Sequence, residues 1–406
     1  MKMPNRAFDF RQLIAPISEK IFKEEYWEKK PLVIKRKDPQ YYQILFSLQC
    51  VDELLSTFSS LSPNVLVAKD GPEVPLKSLI PEGHNSLSIE YALREFTNGA
   101  TLILPQIQET WPALRTFCHR LSAHCSARFQ INGYLTPRKA QGFGEHYDTH
   151  DVFVAQISGA KRWTLLSSSI KLPLSTQPYV HNPNESTEVV DEFELDPGDL
   201  LYLPRGIVHK AVALEETSLH LTIGITPILW AQLIQSVVNS AIMNDSIYRM
   251  SLPFGYMKNR DLQCKIQHHL IHLMNKLSQE AKYDLAVDEA CELAELALPV
   301  IVDRRLRDLE TLKKLSIDTP VCVRSYVNWS IEHRHDEVCL LFHGKEVCMP
   351  SYSAGALHFM KDIEGSFSAG QLPEGLDEEG RMVLVRRLIR EGLLTTSTSD
   401  GPDSDV

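Results

Sequence analysis

No apolar run in this chain approaches the length of a membrane-spanning helix, and the opening Met1-Lys2-Met3-Pro4-Asn5-Arg6 leads into polar and charged positions rather than an apolar leader. Neither a membrane span nor a secretion signal is therefore expected. Paired cysteines are missing as well. Cys50, Cys118, Cys125, Cys264, Cys291, Cys322, Cys339 and Cys348 nowhere form a C-x-x-C pair, which excludes zinc-finger spacing and a disulfide framework. The pattern predicts reduced, mostly buried thiols in a reducing, cytoplasm-like compartment. An excess of positive charge is absent too: 42 Lys and Arg stand against 52 Asp and Glu, a formal net charge of −10. That balance argues against whole-surface binding to nucleic acid or an anionic membrane.

What is present is an ordinary globular composition, 43% hydrophobic and 23% charged, in 406 residues, enough for two or three domains with a sizeable core. Residues 8–60 read as helices around the short extended run Pro31-Leu32-Val33-Ile34-Lys35, with Phe22, Tyr26 and Trp27 as a core-facing aromatic cluster. Between 146 and 226 short β-rich runs alternate with Gly, Pro, Asn and Ser signals, as in an antiparallel barrel or sandwich. Pro197-Gly198-Asp199 marks a turn that needs a positive φ at the glycine, and the polar stretch 175–188 is placed as a loop at the barrel mouth. Leu262, Ile266, Leu270, Leu273 and Leu277 recur at helical steps within a helix-patterned region, 228–315, that suits an oligomerisation element. His268, His269 and His272 are read as an exposed face of it. Strands and two helices follow over 316–395 in the order of a winged helix. The arginines of its last helix are offset by acidic neighbours, so no direct DNA binding is expected. Residues 396–406 read as a disordered acidic tail.

The chemistry is concentrated in Gly142-Phe143-Gly144-Glu145-His146-Tyr147-Asp148-Thr149-His150-Asp151 and in Leu201-Tyr202-Leu203-Pro204-Arg205-Gly206-Ile207-Val208-His209. In an extended segment His146 and Asp148 leave on one face, so both can reach one metal ion, with His209 as the third ligand. Two histidines and a carboxylate on one face of an octahedral ion leave positions open for a chelating co-substrate and dioxygen, the arrangement of non-haem Fe(II) oxygenases. His150 shares that face in an ideal strand and is assigned to the pocket rim. Phe129–Thr136 alternates, which puts Gln130, Asn132, Tyr134 and Thr136 on one polar face. His220 reads as a hydrogen-bonded core histidine, and Thr222, two residues on, faces the same way and could contact a co-substrate.

Residues 22–35, Phe-Lys-Glu-Glu-Tyr-Trp-Glu-Lys-Lys-Pro-Leu-Val-Ile-Lys, together with the stretch from His146-Tyr147-Asp148 through Lys161-Arg162-Trp163 to His209, resemble the JmjC-type ribosomal oxygenases, a family of ribosomal-protein arginine and histidyl hydroxylases. The resemblance covers nearly the whole chain. It implies an α+β architecture: a double-stranded β-helix (cupin/JmjC) barrel with N-terminal helices over 1–227, a helical dimerisation region over 228–315, and the winged-helix-like domain. It implies Fe(II) on His146, Asp148 and His209, with 2-oxoglutarate and O2 as co-substrates. Lys161 would hold the far carboxylate, and Asn132, Tyr134 and, less directly, Thr136 would lie beside it. A buried ammonium that meets an anion is also what electrostatics requires. The implied activity is hydroxylation of an Arg or His side chain of a ribosomal protein by a homodimer. Lysyl demethylation on the same iron chemistry and a non-catalytic metal-binding cupin regulator are the alternatives. Relatives with Arg at Lys161 leave its role intact, whereas Gly224 stands where one branch carries Ser.

Overall fold

The structure is a computed structural model that describes residues 8–57, 65–69, 89–181, 187–281, 283–296, 304–324, 327, 329–342, 344–363 and 365–396. Ten strands build the part of the chain that holds the motifs: β1 (Leu32–Ile34), β2 (Leu66–Ala68), β3 (Thr101–Leu104), β4 (Ala127–Thr136), β5 (Asp151–Ser158), β6 (Lys161–Leu166), β7 (Val189–Leu195), β8 (Leu200–Leu203), β9 (Val208–Ala213) and β10 (Ser218–Pro227). Seven pair in the order β1-β8-β5-β10-β4-β3-β2, and β7-β6-β9 form a second sheet.

Side-chain parity explains how one sheet serves two surroundings. Phe153, Ala155 and Ile157 of β5, Leu200 and Tyr202 of β8, and Leu219, Leu221, Ile223 and Ile225 of β10 face a core shared with Leu13, Ile14, Phe22 and the helix Pro112–Cys125. The alternate residues turn inward. Val152, Val154, Leu201 and Leu203 meet Trp163, Leu165 and Leu195 of the smaller sheet, and His220, Thr222 and Gly224 point the same way from β10. The aromatic cluster expected near residue 22 is present: Phe22 is buried, and Trp27 stacks on Tyr202 at 6.1 Å. The Pro-Gly-Asp turn is where the sequence places it. Gly198 has φ 94°, and a Cβ there would lie 2.1 Å from the Asp38 carbonyl oxygen. Asp199 accepts from the Arg36 amide at 2.7 Å and from Lys35 at 2.5 Å, which ties the Lys35-Arg36 end of the N-terminal motif to the turn.

Residues 227–297 form a separate unit of three helices, Trp230–Asn244, Arg260–Glu280 and Tyr283–Leu296. Among its described residues only Ala286 is buried. The helical region expected over 228–315 ends earlier. The helix Arg305–Thr311 belongs to the C-terminal part, because its buried Asp308 pairs with Arg324 and accepts from the Thr395 hydroxyl at 3.1 Å and the Thr396 amide at 3.1 Å. That part contains β11 (Val321–Val323), β12 (Trp329–His333), β13 (Glu337–Phe342), β14 (Lys345–Pro350) and β15 (Leu394–Thr396), with the helices Ala354–Asp362 and Glu378–Glu391. Thr396, assigned to the tail, pairs with Val321; residues 397–406 lie outside the described residues.

The cysteine expectation needs correction. Cys339 and Cys348 sit directly opposite each other on β13 and β14 and form a disulfide. Of the six others only Cys118 is buried, while Cys264 and Cys291 are exposed. Opposing positions in a hairpin bring two sulfurs together without any C-x-x-C spacing. No described helix is long and apolar enough to cross a membrane.

Candidate active site

His146 and Asp148 lie on the extended lead-in to β5 rather than within a strand. They reach His209 on β9 through the backbone: the His146 amide donates to the His209 carbonyl at 3.2 Å and the His209 amide to the His146 carbonyl at 2.8 Å. The Gly206 amide donates to the Asp148 carbonyl at 3.0 Å. These bonds bring one ligand atom of each of the three side chains within 4.8 Å of one another. Each imidazole is also held from behind. His146 Nδ1 lies 2.9 Å from the Gly144 carbonyl and His209 Nδ1 2.9 Å from the Ile207 carbonyl. Donation at Nδ1 fixes the tautomer and leaves both Nε2 lone pairs for a metal. Burial, with His146 beside it, pushes the His209 imidazole down to about 4, so that ring is neutral at physiological pH. Two imidazole nitrogens and one carboxylate fit a divalent first-row cation, Fe(II) among them.

The three face a pocket of about 310 Å³. Lys161, the first residue of β6, lines it and is 4% exposed, and among the described residues no hydrogen-bond or ion-pair partner meets its ammonium. Burial alone pushes it down to about 7. Asn132, Tyr134 and Thr222 line the same pocket. Thr136 does not: it is fully buried and its hydroxyl is bonded at 3.0 Å to Thr101, which takes the pocket-lining position instead. Thr101 carries no local signal, because a strand 35 residues away brings it there.

His220 is a pocket residue rather than a hydrogen-bonded core histidine. It lines the cavity, stacks flat on Tyr134 at 5.0 Å, and its Nδ1 has no partner among the described residues. Burial and then Lys161 hold it well below the usual histidine range. Its shared parity with Thr222 is the signal that would have found it. His150 lines the pocket as expected of a rim residue but stands outside the ligand group. It fits because residue 224 is glycine: a Cβ there would lie 2.9 Å from His150 Nε2. The helical histidines His268, His269 and His272 form no metal cluster among the described residues. Of the mouth loop, residues 182–186 lie outside the described residues; before them, Tyr147 donates its hydroxyl hydrogen to the Gln177 carbonyl at 3.1 Å.

Two facing sheets with two imidazoles and a carboxylate converging on one point define a JmjC-type cupin barrel, and residues 106–233 match the JmjC domain. The chain is 31% identical over 319 residues to the bifunctional lysine-specific demethylase and histidyl-hydroxylase NO66 of Aedes aegypti, a match covering 72% of this chain and 49% of that protein. It is 31% identical over 298 residues to ribosomal oxygenase 1 of Gallus gallus, covering 69% and 49%. The chain thus spans about half the length of these relatives. An X-ray structure of E. coli YcfD shares the fold with a TM-score of 0.50 at 16% identity, over 93% of this chain and 98% of that one. The chain contains a JmjC domain and is similar to the JmjC-type ribosomal oxygenases.

Proposed function

We propose that this chain is an Fe(II)- and 2-oxoglutarate-dependent protein hydroxylase acting on an Arg or His side chain of a ribosomal protein. The observation that carries the reading is the convergence of His146, Asp148 and His209 within 4.8 Å at a pocket that also contains a buried ammonium without a partner. A buried cation is costly unless an anion joins it, and a metal-chelating oxo acid with a free carboxylate at its far end supplies that anion. When bound, Fe(II) with 2-oxoglutarate and O2 couples decarboxylation of the oxo acid to insertion of one oxygen atom into a substrate C–H bond.

The chain's own residues orient and enclose. His146 and His209 present Nε2 and Asp148 its carboxylate. Lys161 fixes the far carboxylate, with Asn132, Tyr134 and Thr222 as polar neighbours. Trp163, Val154 and Ala211 supply apolar wall that excludes water. The net charge of −10 favours encounter with a basic ribosomal protein. The compartment in this reading is the cytoplasm, or the nucleolus in a eukaryotic cell. Incubation of unmodified ribosomal proteins with the chain, Fe(II) and 2-oxoglutarate should add the mass of one oxygen atom to a single protein, at an Arg or His. No mass gain on any ribosomal protein, with 2-oxoglutarate turnover intact, would exclude the substrate class.

The 227–297 unit serves as a homodimerisation element in this account. Its exposed apolar side chains include Trp230 at 80%, Met243 at 75% and Phe254 fully open, more than a unit that stays free in water leaves uncovered. A second copy is the partner that brings a matching apolar surface of the same kind. Light scattering behind size exclusion should give twice the chain mass at micromolar concentration, and Trp230→Glu with Phe254→Glu should shift it toward one chain. A single-chain mass for the unaltered protein contradicts the assignment.

A further inference from the structure

The N-terminal motif around Glu28 touches none of the pocket yet is bonded to the segments that carry the metal ligands. We propose that Glu28 is a positioning residue for the metal site, acting through Arg205 and Asp151. The inference rests on the reading that His146, Asp148 and His209 hold a metal.

Asp151 opens β5, three residues after Asp148, and is fully buried. Its Oδ2 accepts from Arg205 Nη1 at 2.7 Å and its Oδ1 from the Tyr202 hydroxyl at 3.0 Å. Arg205, 7% exposed, is followed by Gly206, whose amide holds the Asp148 carbonyl, and stands four residues before His209. The Asp151–Arg205 pair therefore joins the start of the strand behind one ligand to the turn that carries another. The 142–150 lead-in is not part of a strand; it is held by main-chain bonds and by exposed or half-buried side-chain contacts such as Glu145 with Lys210 at 2.9 Å, and the Asp151–Arg205 pair is the buried side-chain tie between its end and the 204–209 turn.

Glu28 completes this tie from outside the barrel. Its Oε1 accepts from the same Arg205 Nη1 at 2.5 Å, and its amide donates to the Tyr202 hydroxyl at 2.9 Å. Arg205 is thus held between two carboxylates, and Tyr202 both receives from Glu28 and donates to Asp151. Glu28 has φ 55°, a left-handed conformation that costs a non-glycine residue energy and persists only where surroundings enforce it. Without its carboxylate, the Arg205 guanidinium keeps one anchor and gains freedom to turn about it. Partners behind metal ligands set ligand orientation, and their loss weakens metal binding by roughly 10- to 100-fold.

The test is titration of the metal-free full chain with cobalt(II), followed by its visible d–d absorption, in the unaltered protein, Glu28→Gln, Asp151→Asn and Leu121→Ala. The last lies in the buried core on the helix Pro112–Cys125 and lowers thermal stability without touching the network. Expected are a Glu28→Gln affinity weakened by up to about 10-fold, the lower edge of the loss for groups bonded directly to a ligand, with an altered d–d spectrum, a larger loss for Asp151→Asn, and an unchanged affinity for Leu121→Ala. Equal affinity and an identical spectrum for Glu28→Gln, or a Leu121→Ala loss as large as that of Glu28→Gln, would overturn the proposal while leaving the metal site intact. Failure of the unaltered protein to bind one cobalt per chain would overturn the metal site itself, and the proposal with it.

Discussion

Asp148→Ala should bring 2-oxoglutarate-coupled hydroxylation down to background and weaken metal binding by more than about a hundredfold, beyond the loss that follows from outer-shell changes. The carboxylate is the only anionic member of the ligand group. Without it two imidazoles remain, and the dication keeps no protein charge to offset its own. The fold should not suffer, because Asp148 meets the turn through its carbonyl rather than its side chain, and a half-buried side chain without a structural bond changes stability by about 0.5 kcal/mol or less. Metal content and succinate formation, measured beside the melting temperature, check this: unchanged melting with lost metal and lost turnover is expected. Substantial turnover in Asp148→Ala would remove this residue from the ligand set.

Lys161→Met should separate stability from function in the opposite sense. The ammonium is buried beside no anion among the described residues, and burial holds it near 7 against an ordinary value near 10.5. Its folded-state value lies below its unfolded one, so between those values the unfolded chain binds more protons and stability rises with pH. Below about 7 the penalty is fully present. Methionine removes it, so the variant should melt several degrees higher in the metal-free state at pH 7, with the gain shrinking toward pH 10. The same change leaves the far carboxylate of the oxo acid unpaired. Removing one partner of a buried pair costs about 3–5 kcal/mol, which weakens 2-oxoglutarate binding by roughly two to four orders of magnitude. In the unaltered protein the carboxylate selects the protonated lysine, so the dissociation constant should rise about tenfold per pH unit above 7 and level off below it. Calorimetry in two buffers of different ionisation enthalpy would show the proton taken up. A pH-independent affinity, or a Lys161→Met protein that binds 2-oxoglutarate normally, would move the anchor elsewhere.

The shared face of His146 and Asp148 and the strand-rich region were legible because both have a period. His146 and Asp148 are two apart, and the parity of Asn132 with Tyr134 and of His220 with Thr222 assigns the inward face. The Pro197-Gly198-Asp199 turn was legible because a backbone conformation restricts the residue. Contacts between distant segments were not. Thr101 replaces Thr136 at the pocket through a strand that enters from 35 residues away, and Arg205 meets Glu28 across 177 residues. The Cys339–Cys348 bond depends on hairpin register, which spacing alone does not give. The helix Arg305–Thr311 carries the same apolar period as the helices before it, and the buried Asp308 and the bonds from Arg305 to the Arg390 and Glu391 carbonyls reveal that it packs with the C-terminal part. Gly224 reads as a plain departure from relatives until His150 is seen to occupy the space above it.

Anaerobic titration of the Fe(II)-loaded chain with 2-oxoglutarate, followed by the visible charge-transfer absorption that arises only when the keto acid chelates the iron, tests the central claim most directly. The expected result is a band that saturates at one oxo acid and one iron per chain and is absent in both Asp148→Ala and His209→Ala. A chain that binds neither, or that gives the full band with those ligands removed, would contradict it.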